Sequence, residues 1–213
     1  MSNTIITITG PSCSGKTTLT NQLLATEEFS EVISTTTRPP RTGEVNGVTY
    51  HFVTPEEFKT VELLERVDFN GNLYGGSVAE FEKQFASGRI PLIIVEPNGM
   101  GQVNKNAKEK GWKVINVFVA CPPKVQAERF LGRFREEVIN QANGSDPDDL
   151  GKLMREYVNR MVTMQTTEAE WFGLFTVFCV DSSSILIDEF TKENEKEVLE
   201  MVRFECISLD RNG

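Results

Sequence analysis

The sequence predicts an α/β fold in which a parallel sheet is covered by helices on both faces. Short β-branched runs alternate along the chain with amphipathic stretches, as is typical of parallel strands that are buried on both sides. One central segment is instead rich in glycine and proline between short aromatic pieces, which indicates an inserted subdomain of short strands and turns. With 213 residues, the chain suits one domain that carries this insertion.

The N-terminal elements are predicted from a strand, a glycine loop and a helix in succession. Residues 5–8 are apolar and β-branched and are soon followed by Gly10, which predicts a buried strand. Residues 16–25 carry leucines on one face and therefore predict a helix. A second short strand is predicted over 32–36, and the inserted subdomain over 37–88.

The second half of the chain continues the alternation of strands and helices. Its predicted elements are strands over 92–95, 113–120 and 174–180, and helices over 99–110, 122–133, 149–162 and 187–202. Residues 134–150 are polar and contain Gly and Pro, so they predict a mobile connection between two of these helices. The tail after residue 204 is predicted to add an edge strand.

Composition and charge exclude several classes of protein. The formal net charge is −9, which disfavours a general binder of nucleic acid polymers or membrane surfaces, because both are anionic. The four cysteines form no CxxC pair, so we expect no zinc site. The N-terminus does not resemble a signal peptide, and no apolar run approaches the roughly 20 residues of a membrane span. We therefore expect a cytoplasmic protein.

The strongest motif lies between the first predicted strand and helix. Residues 10–17, GPSCSGKT, fit the pattern G-x-x-x-x-G-K-[ST], a loop whose backbone N–H groups surround phosphates at a helix N-terminus. In such a loop the lysine places a charge on the β- and γ-phosphates, and the following hydroxyl is a ligand of Mg²⁺. The predicted ATP-binding residues are Gly10, Pro11, Ser12, Cys13, Ser14, Gly15, Lys16, Thr17 and Thr18, with Thr17 as the magnesium ligand.

A second basic element contains Arg38 and Arg41 within STTTRPPRTGE. Arginine forks match phosphate oxygens, and the adjacent prolines restrict the loop. In an acidic chain this pair indicates a second phosphate site, although two solvated surface arginines explain it equally well when it is taken alone. His51 is the single histidine and has no evident carboxylate partner, so we interpret it as structural or solvated.

Taken together, the two motifs make the chain resemble the guanylate kinases. The matching pieces are GPSCSGKTTL, STTTRPPRTGEVNGVTYHF, the pattern E-x-x-x-F-x-GNLYG from Glu65, and an apolar strand with Glu96. The likeness is close over residues 4–135. It implies a P-loop NTPase three-layer sandwich with a small mixed-sheet acceptor-binding subdomain and a mobile lid. The implied division of this single domain is core 1–36, 89–130 and 172–213, acceptor-binding subdomain 37–88 and lid about 131–155.

The resemblance also implies residue roles on the acceptor side. The acceptor phosphate would be held by Arg38, Arg41, Tyr50 and Tyr74, and the guanine edge would meet Ser34 and Glu65. A carboxylate suits guanine because N1–H and N2–H₂ form a paired donor edge. From the residues alone, the favoured interpretation of the two tyrosines is as half-buried aromatics of a small sheet, and that of Glu65 is as a solvated charge at the end of a helix.

Further arginines are implied to act at the transferring phosphate. Arg133 resembles a lid arginine, Arg129 lies one turn before it beside the ATP site, and either Arg155 or Arg160 is the candidate for a second lid arginine. Glu96 could orient magnesium-bound water or meet the acceptor. The implied catalytic residues are Lys16, Arg38, Arg133, Arg155 and Arg160.

Two departures from the family pattern fall on the acceptor side. The family's acceptor-site strand usually ends acid-x-acid, whereas this chain has Ile94, Val95 and Glu96. The residue after Tyr-Gly is usually Ser or Thr, whereas this chain has Gly76 followed by Ser77. Both changes concern base or sugar preference rather than the type of reaction. Residues 134–146 also make a longer lid than is usual.

The resemblance implies ATP-dependent phosphorylation of a nucleoside monophosphate, GMP or dGMP, by a monomer or homodimer. Two alternatives remain at this stage. One is a kinase of another or modified deoxynucleotide or of a small phosphorylated acceptor. The other is a non-catalytic interaction module, although such modules typically lose the phosphate loop that residues 10–17 retain here.

Overall fold

The computed structural model describes residues 3–41, 43–69, 71–142, 147–178 and 183–211. The strands are β1 Thr4–Thr9, β2 Phe29–Glu31, β3 Thr35–Thr36, β4 His51–Phe52, β5 Leu63–Phe69, β6 Asn72–Ser77, β7 Ile90–Ile94, β8 Lys113–Val119 and β9 Ser183–Ile187. The helices are α1 Lys16–Leu24, α2 Pro55–Phe58, α3 Val78–Ala86, α4 Pro97–Glu109, α5 Pro123–Ala142, α6 Pro147–Thr166, α7 Trp171–Phe178 and α8 Glu195–Arg211, with one 3₁₀ turn at Glu168–Glu170.

The core sheet is parallel, as the sequence predicts. Its five strands lie in the order β2-β7-β1-β8-β9, and every neighbouring pair is parallel. The register places Ile6 between Leu92 of β7 and Ile115 of β8. Because β1 is central, the loop that follows it opens at the carboxyl edge of the sheet, where ligands of such folds bind.

Helices cover both faces of this sheet and complete the three-layer sandwich. Ile6 and Ile8 of β1 pack with Leu19 of α1 and Val202 of α8 on one face, whereas Ile5 packs on the other face in a cluster with α3 and α4. The alternation follows from the opposite directions of successive side chains in a strand. None of the helices in the described residues is long and apolar enough to cross a membrane.

The inserted segment forms a second, mixed sheet. Its four strands lie in the order β4-β3-β6-β5; β3 and β4 are parallel, and β6 is antiparallel to both β3 and β5. This sheet begins at Thr35, two residues before the predicted start of the insertion. The mixed sheet that the resemblance implies is therefore present, and Glu65 lies in β5 rather than at the end of a helix as ELLER suggested.

Helices α5 and α6 form an antiparallel pair where the sequence predicted a mobile connection. The prediction of a connection over 134–150 is wrong for most of its length, since α5 continues to Ala142 and α6 begins at Pro147. Phe130 and Phe134 of α5 pack on the ring of Tyr157, with ring centroids 5.1 and 4.7 Å apart. This aromatic contact and the i,i+4 ion pair of Arg133 with Glu137 extend the helices through a polar sequence.

The predicted C-terminal elements are shifted. Residues 174–180 were expected to form a strand, but α7 covers them up to Phe178, the rest lie outside the described residues, and the strand is β9 at Ser183–Ile187. The helix expected over 187–202 is α8, which begins later, at Glu195. The edge strand expected after residue 204 is also wrong, because α8 continues through this tail and buries Cys206 in the core.

Two smaller interpretations also change. The strand predicted over 32–36 is confirmed only at Thr35–Thr36, as β3 of the inserted sheet. The core-sheet strand β2 ends before it, at Glu31, because the chain passes from one sheet to the other between them. His51 does have a carboxylate partner, since its Nε2 lies 3.3 Å from Oε2 of buried Glu80. This contact joins β4 to α3 and could not be seen in a sequence where the two residues are 29 positions apart.

Candidate active site

The loop at residues 10–17 has the conformation that its motif requires. Gly10, Cys13 and Gly15 all have positive φ angles, of 145, 61 and 107°. A Cβ atom on Gly10 would lie 2.2 Å from the carbonyl oxygen of Val119, so the close approach of β1 and β8 admits only glycine. The loop shape is therefore fixed by backbone geometry as much as by side chains.

Helix α1 opens toward the loop without a side-chain cap. The N–H groups of its first turn, at Lys16, Thr17 and Thr18, are consequently left for a ligand. The Lys16 ammonium donates to the carbonyl oxygens of Gly10 and Pro11, both at 2.7 Å. Burial lowers the pKa of Lys16 to about 8, while the nearby Glu168 carboxylate opposes that shift.

A buried carboxylate holds the start of the same loop. Glu168, in the 3₁₀ turn after α6, is 8% exposed; it accepts from the Ser12 N–H at 2.7 Å and from the Ser12 hydroxyl at 2.6 Å. Gln126 of α5 donates to the Ser12 carbonyl oxygen at 2.9 Å. Sequence reasoning missed Glu168, because it is 156 positions from Ser12 and resembles any other helix-surface acid.

The loop forms one wall of an open cavity of about 420 Å³. Its lining residues are Cys13, Ser14, Gly15, Lys16, Thr17, Thr18, Arg129, Arg133, Phe190, Thr191, Lys192 and Glu195. Arg129 joins the walls, since it donates to the carbonyl oxygens of Ser14 at 3.2 Å and Phe190 at 3.1 Å and pairs with Glu189. Most of the predicted ATP-binding residues are thus brought together in this cavity.

The three candidate arginines of the α5–α6 pair differ in position. Arg133 lines the cavity, and its charge, together with that of Arg160, opposes the rise that burial causes in the pKa of the Cys13 thiol. Both arginines therefore lie near the loop. Arg155 is exposed, and one of its Nη atoms lies back along α6 beside Gly151. The geometry favours Arg160 over Arg155 as the partner of Arg133.

The predicted acceptor-phosphate residues cluster on the inserted sheet. The Arg38 guanidinium carbon lies 5.5 Å from the ring centroid of Tyr50, and the rings of Tyr50 and Tyr74 are 6.0 Å apart. Arg38 donates in a fork to both oxygens of Glu44, at 2.9 and 2.7 Å, and this bonding raises the pKa of Arg38 further. Arg41 is exposed; its backbone N–H donates to the Glu44 carboxylate, and its carbonyl oxygen accepts from the Glu44 N–H.

Glu65 is buried on the same sheet, 6% exposed. Its Oε1 accepts from the Gly76 N–H at 2.7 Å, and within the described part of the chain no hydrogen bond to Oε2 is recorded. Burial raises the pKa of Glu65 to about 7; the bond from Gly76 opposes this rise, and the charge of nearby Glu96 adds to it. A buried carboxylate with a free oxygen is poised to accept from a ligand donor.

The structure explains why Gly76 replaces the usual hydroxyl residue. A Cβ atom on Gly76 would lie 3.0 Å from the ring of Phe81 and 3.1 Å from Ile93, so these core residues occupy the space. Ser77 cannot substitute for the missing hydroxyl, because its side chain caps α3 by accepting from the Glu80 N–H. Glu65 is left as the principal polar group of this pocket.

The remaining acceptor residues lie at the edge of the pocket. Ile94 ends β7 with 38% of its surface exposed, and Glu96 is exposed at the start of α4, where its side chain makes no capping bond. Ser34 is half-buried just before β3, and its carbonyl oxygen accepts from the His51 N–H. Nothing in these contacts assigns Ser34 a ligand.

The donor set of the loop fits a metal ion that arrives with a nucleotide. The Thr17 side chain is exposed in the first turn of α1, where its hydroxyl can serve as one ligand. The described residues contain no group of three or more His, Cys, Asp or Glu that could hold an ion alone. Mg²⁺ is usually bound in this way, by one or two protein ligands and substrate phosphates.

Fold and site together define a P-loop phosphotransferase with separate places for two phosphorylated ligands. The guanylate kinase family model matches residues 1–168. A guanylate kinase of Neisseria meningitidis is 38% identical over 191 residues, which are 87% of this chain and 83% of that protein. One from Sphingopyxis alaskensis is 30% identical, over 97% of this chain and 84% of that protein.

A solved structure agrees at the level of the fold. The crystal structure of guanylate kinase from Anaplasma phagocytophilum has a TM-score of 0.56 and 20% identity, over 96% of this chain and 86% of that one. The chain belongs to the guanylate kinase family. It is accordingly a nucleoside monophosphate kinase, whose reaction is the ATP-dependent phosphorylation of GMP. The expectations of the non-catalytic module and of a different acceptor find no support.

Proposed function

We propose that Glu65 reads the guanine base, that the Arg38 cluster holds the GMP phosphate, and that residues 10–17 hold ATP. The observation that carries this assignment is the buried Glu65 carboxylate, with one oxygen held by Gly76. Its other oxygen can accept from guanine N1–H and N2–H₂. Adenine has no such pair of donors, so AMP leaves the buried carboxylate unpaired at a cost of about 1–3 kcal/mol.

Glu44 prepares Arg38 for the acceptor phosphate. Its carboxylate takes one donor from each Nη of the guanidinium, and the carbonyl oxygen of Pro39 takes another from Nη1. These bonds fix the plane of the fork and leave at most the two remaining donors for phosphate oxygens. The side chains of Tyr50 and Tyr74 flank Arg38, and their hydroxyls can donate to the same phosphate. Arg41, which is exposed in the free protein, completes the site by turning toward the bound anion.

On the donor side, the amides of α1 and the Lys16 ammonium bind the ATP phosphates. Lys16 must then exchange the carbonyl oxygens of Gly10 and Pro11 for phosphate oxygens. Thr17 would hold Mg²⁺, which supplies charge neutralisation between the phosphates when it is bound. Glu96 lies close enough to Glu65 to affect its ionisation, so we assign it to the acceptor side rather than to the metal.

The α5–α6 pair serves as the lid over the transferring group. Arg133 and Arg160 lie near the phosphate loop, each held by a glutamate one turn away on its own helix. Their charges stabilise the oxygens of the phosphoryl group in flight. No general base is needed, because an oxygen of the acceptor phosphate is already ionised near neutral pH. Closure of the pair excludes water and so limits hydrolysis of ATP.

We also assign the protein to a reducing compartment, the cytoplasm. Cys13 and Cys121 are half-buried free thiols, and free thiols persist where disulfides are kept reduced. Cys179 lies outside the described residues.

A panel of acceptors tests the assignment. ADP formation from ATP and Mg²⁺ is measured with GMP, dGMP, IMP and AMP, where IMP keeps the N1–H of guanine but lacks its 2-amino group. We expect GMP to give the highest kcat/KM, IMP to fall about tenfold or more for one lost hydrogen bond to a carboxylate, and AMP to fall further. Equal use of GMP and IMP would remove Glu65 from recognition of the base.

A further inference from the structure

Ser12 connects the phosphate loop to the start of α5 and to the 3₁₀ turn that follows α6. Its carbonyl oxygen accepts from Gln126 in the first turn of α5, and its N–H and hydroxyl donate to Glu168, two residues after the end of α6. The backbone N–H and the carbonyl oxygen of Ser12 are therefore both hydrogen-bonded, one to the turn after α6 and the other to α5. Neither Glu168 nor Gln126 belongs to the motifs by which the sequence resembles the family.

At Ser12 the loop changes from a part that is hydrogen-bonded to the rest of the protein to a part that faces the cavity. Of the described residues, Cys13 through Thr18 line the cavity, whereas Ser12 and Glu168 lie outside that lining. Glu168 thus takes an amide at the start of the loop and leaves the amides of Lys16, Thr17 and Thr18 available to phosphates. A carboxylate placed here does not compete with ATP for the same donors.

We propose that Glu168 is a positioning residue for phosphoryl transfer, which holds Ser12 and thereby keeps the phosphate loop and the α5–α6 pair in one fixed relation. The inference rests on the proposal that residues 10–17 bind ATP. Two short hydrogen bonds to one buried carboxylate restrict both the main chain and the hydroxyl of Ser12. Glu168 follows the end of α6 by two residues, so its bonds to Ser12 also set the position of Arg160 on α6 when ATP binds.

The charge of Glu168 has a second consequence at Lys16. An isolated carboxylate beside a triphosphate would repel it, but here it stabilises the ammonium form of a lysine that is itself a phosphate ligand. Burial lowers the pKa of Lys16 to about 8, and the Glu168 carboxylate is the largest influence that opposes this lowering.

Two substitutions separate shape from charge. Glu168→Gln keeps an acceptor for the Ser12 N–H and a donor for its hydroxyl oxygen but removes the charge, whereas Glu168→Ala removes both bonds. Glu170→Ala is the matched control, because Glu170 is an exposed acid in the same 3₁₀ turn. The kinetic constants for ATP and for GMP are measured separately, with thermal unfolding as the check on folding.

We expect Glu168→Ala to lower kcat/KM for ATP about 10- to 100-fold, as for the loss of hydrogen bonds to a charged group, while the KM for GMP stays within about twofold. Glu168→Gln, which keeps a hydrogen-bond partner for both groups of Ser12, should recover most of that loss. Glu170→Ala should match the wild type throughout.

Other results would overturn the inference. If Glu168→Ala destabilises the fold but leaves the ATP constants of the folded enzyme unchanged, Glu168 is merely structural. If Glu168→Ala does not fold, Ser12→Ala takes its place, because it removes only the hydroxyl bond to Glu168, and unchanged ATP constants in that variant are decisive against the inference. Lys16→Ala separates the two proposals: normal ATP use by that variant defeats the ATP assignment itself, whereas loss there with normal constants in both Glu168 variants defeats only the role of Glu168.

Discussion

The phosphate loop and the acceptor pocket are built in contrasting ways. The loop is determined by backbone shape, since Gly10 lies against the main chain of β8 and three residues of the loop, Gly10, Cys13 and Gly15, have positive φ. The acceptor pocket is assembled from side chains on β3–β6 and on the loops between them. Both departures from the family pattern, at Gly76 and Ile94, fall in the pocket. Backbone-determined sites tolerate little change, whereas a side-chain pocket can lose one contact and keep another.

The loop should therefore be the more sensitive half. We expect Lys16→Ala to lower kcat/KM by about a thousandfold or more, because it removes a charge that stabilises the transferring phosphates in a half-buried site. Single-turnover ADP formation measures it. Lys83→Ala is the control and should remain active, because Lys83 is an exposed lysine of α3 that pairs with Glu80 of the same helix. A Lys16→Ala enzyme with near-normal kcat would break the contrast.

The α5–α6 pair should behave like the loop rather than like the pocket. We expect Arg133→Ala to lower kcat by about a hundredfold to a thousandfold with a smaller change in either KM, since its charge matters most in the transition state. Arg135→Ala is the neighbouring control, because that side chain is exposed on the same helix.

The second lid arginine can be assigned by the same assay. We expect Arg160→Ala to resemble Arg133→Ala and Arg155→Ala to resemble the wild type, since Arg160 is the one whose charge reaches Cys13 of the loop. A larger loss of kcat in Arg155→Ala than in Arg160→Ala would reverse the assignment.

The contribution of the acceptor pocket to kcat/KM for GMP should depend on pH. Burial raises the pKa of Glu65 to about 7, so the carboxylate that guanine requires is mostly protonated at pH 6 and mostly ionised at pH 8. We expect kcat/KM for GMP to fall about tenfold from pH 8 to pH 6, beyond any change in kcat/KM for ATP. Glu65→Gln should abolish this dependence; the same slope in that variant would attribute it to the GMP phosphate.

The raised pKa of Glu65 affects the stability of the fold in the direction opposite to its effect on GMP binding. Glu65 binds its proton more tightly in the folded protein than in the unfolded chain, so its contribution is complete below the unfolded pKa of 4.5 and is lost as pH rises through about 7. The group therefore favours folding at acid pH and guanine binding at alkaline pH. Such a conflict is typical of a residue retained for function.

The smallest effect concerns the departure at Gly76. Restoring serine there places Cβ at 3.0 Å from Phe81 and 3.1 Å from Ile93, and we expect Gly76→Ser to lower the free energy of unfolding by about 1–3 kcal/mol. Gly173→Ser, in α7 where nothing lies within 4 Å, is the control. Denaturant unfolding of both variants measures the difference; an unchanged stability would show that the pocket can accept the usual hydroxyl.

The same contrast explains how much could be predicted from sequence. The strand, glycine loop and helix at the N-terminus were correct because one motif determines a local backbone shape. The strand expected over 174–180 was wrong because a short apolar run does not distinguish a buried strand from a helix. There, Phe175 and Phe178 pack with Met100 and Phe118 as one face of α7.

Contacts between distant parts of the chain were not predictable. Glu65 was named as a candidate, but its place in a strand opposite Gly76 depends on the pairing of β5 with β6. Glu168 was not named at all, since nothing near it in sequence indicates that it reaches Ser12. Burial and partner, rather than residue type, distinguish these two acids from the exposed ones.

The most direct test of the account is Glu65→Gln assayed with both GMP and IMP. With its oxygen held by the Gly76 N–H, the glutamine would present an NH₂ group to the donor edge of guanine. We expect kcat/KM for GMP to fall about hundredfold, the KM for ATP to remain unchanged, and the preference for GMP over IMP to disappear. Asp68→Asn, an exposed acid on the same strand, should change none of these. A Glu65→Gln enzyme that still prefers GMP over IMP would contradict the assignment of base recognition to Glu65.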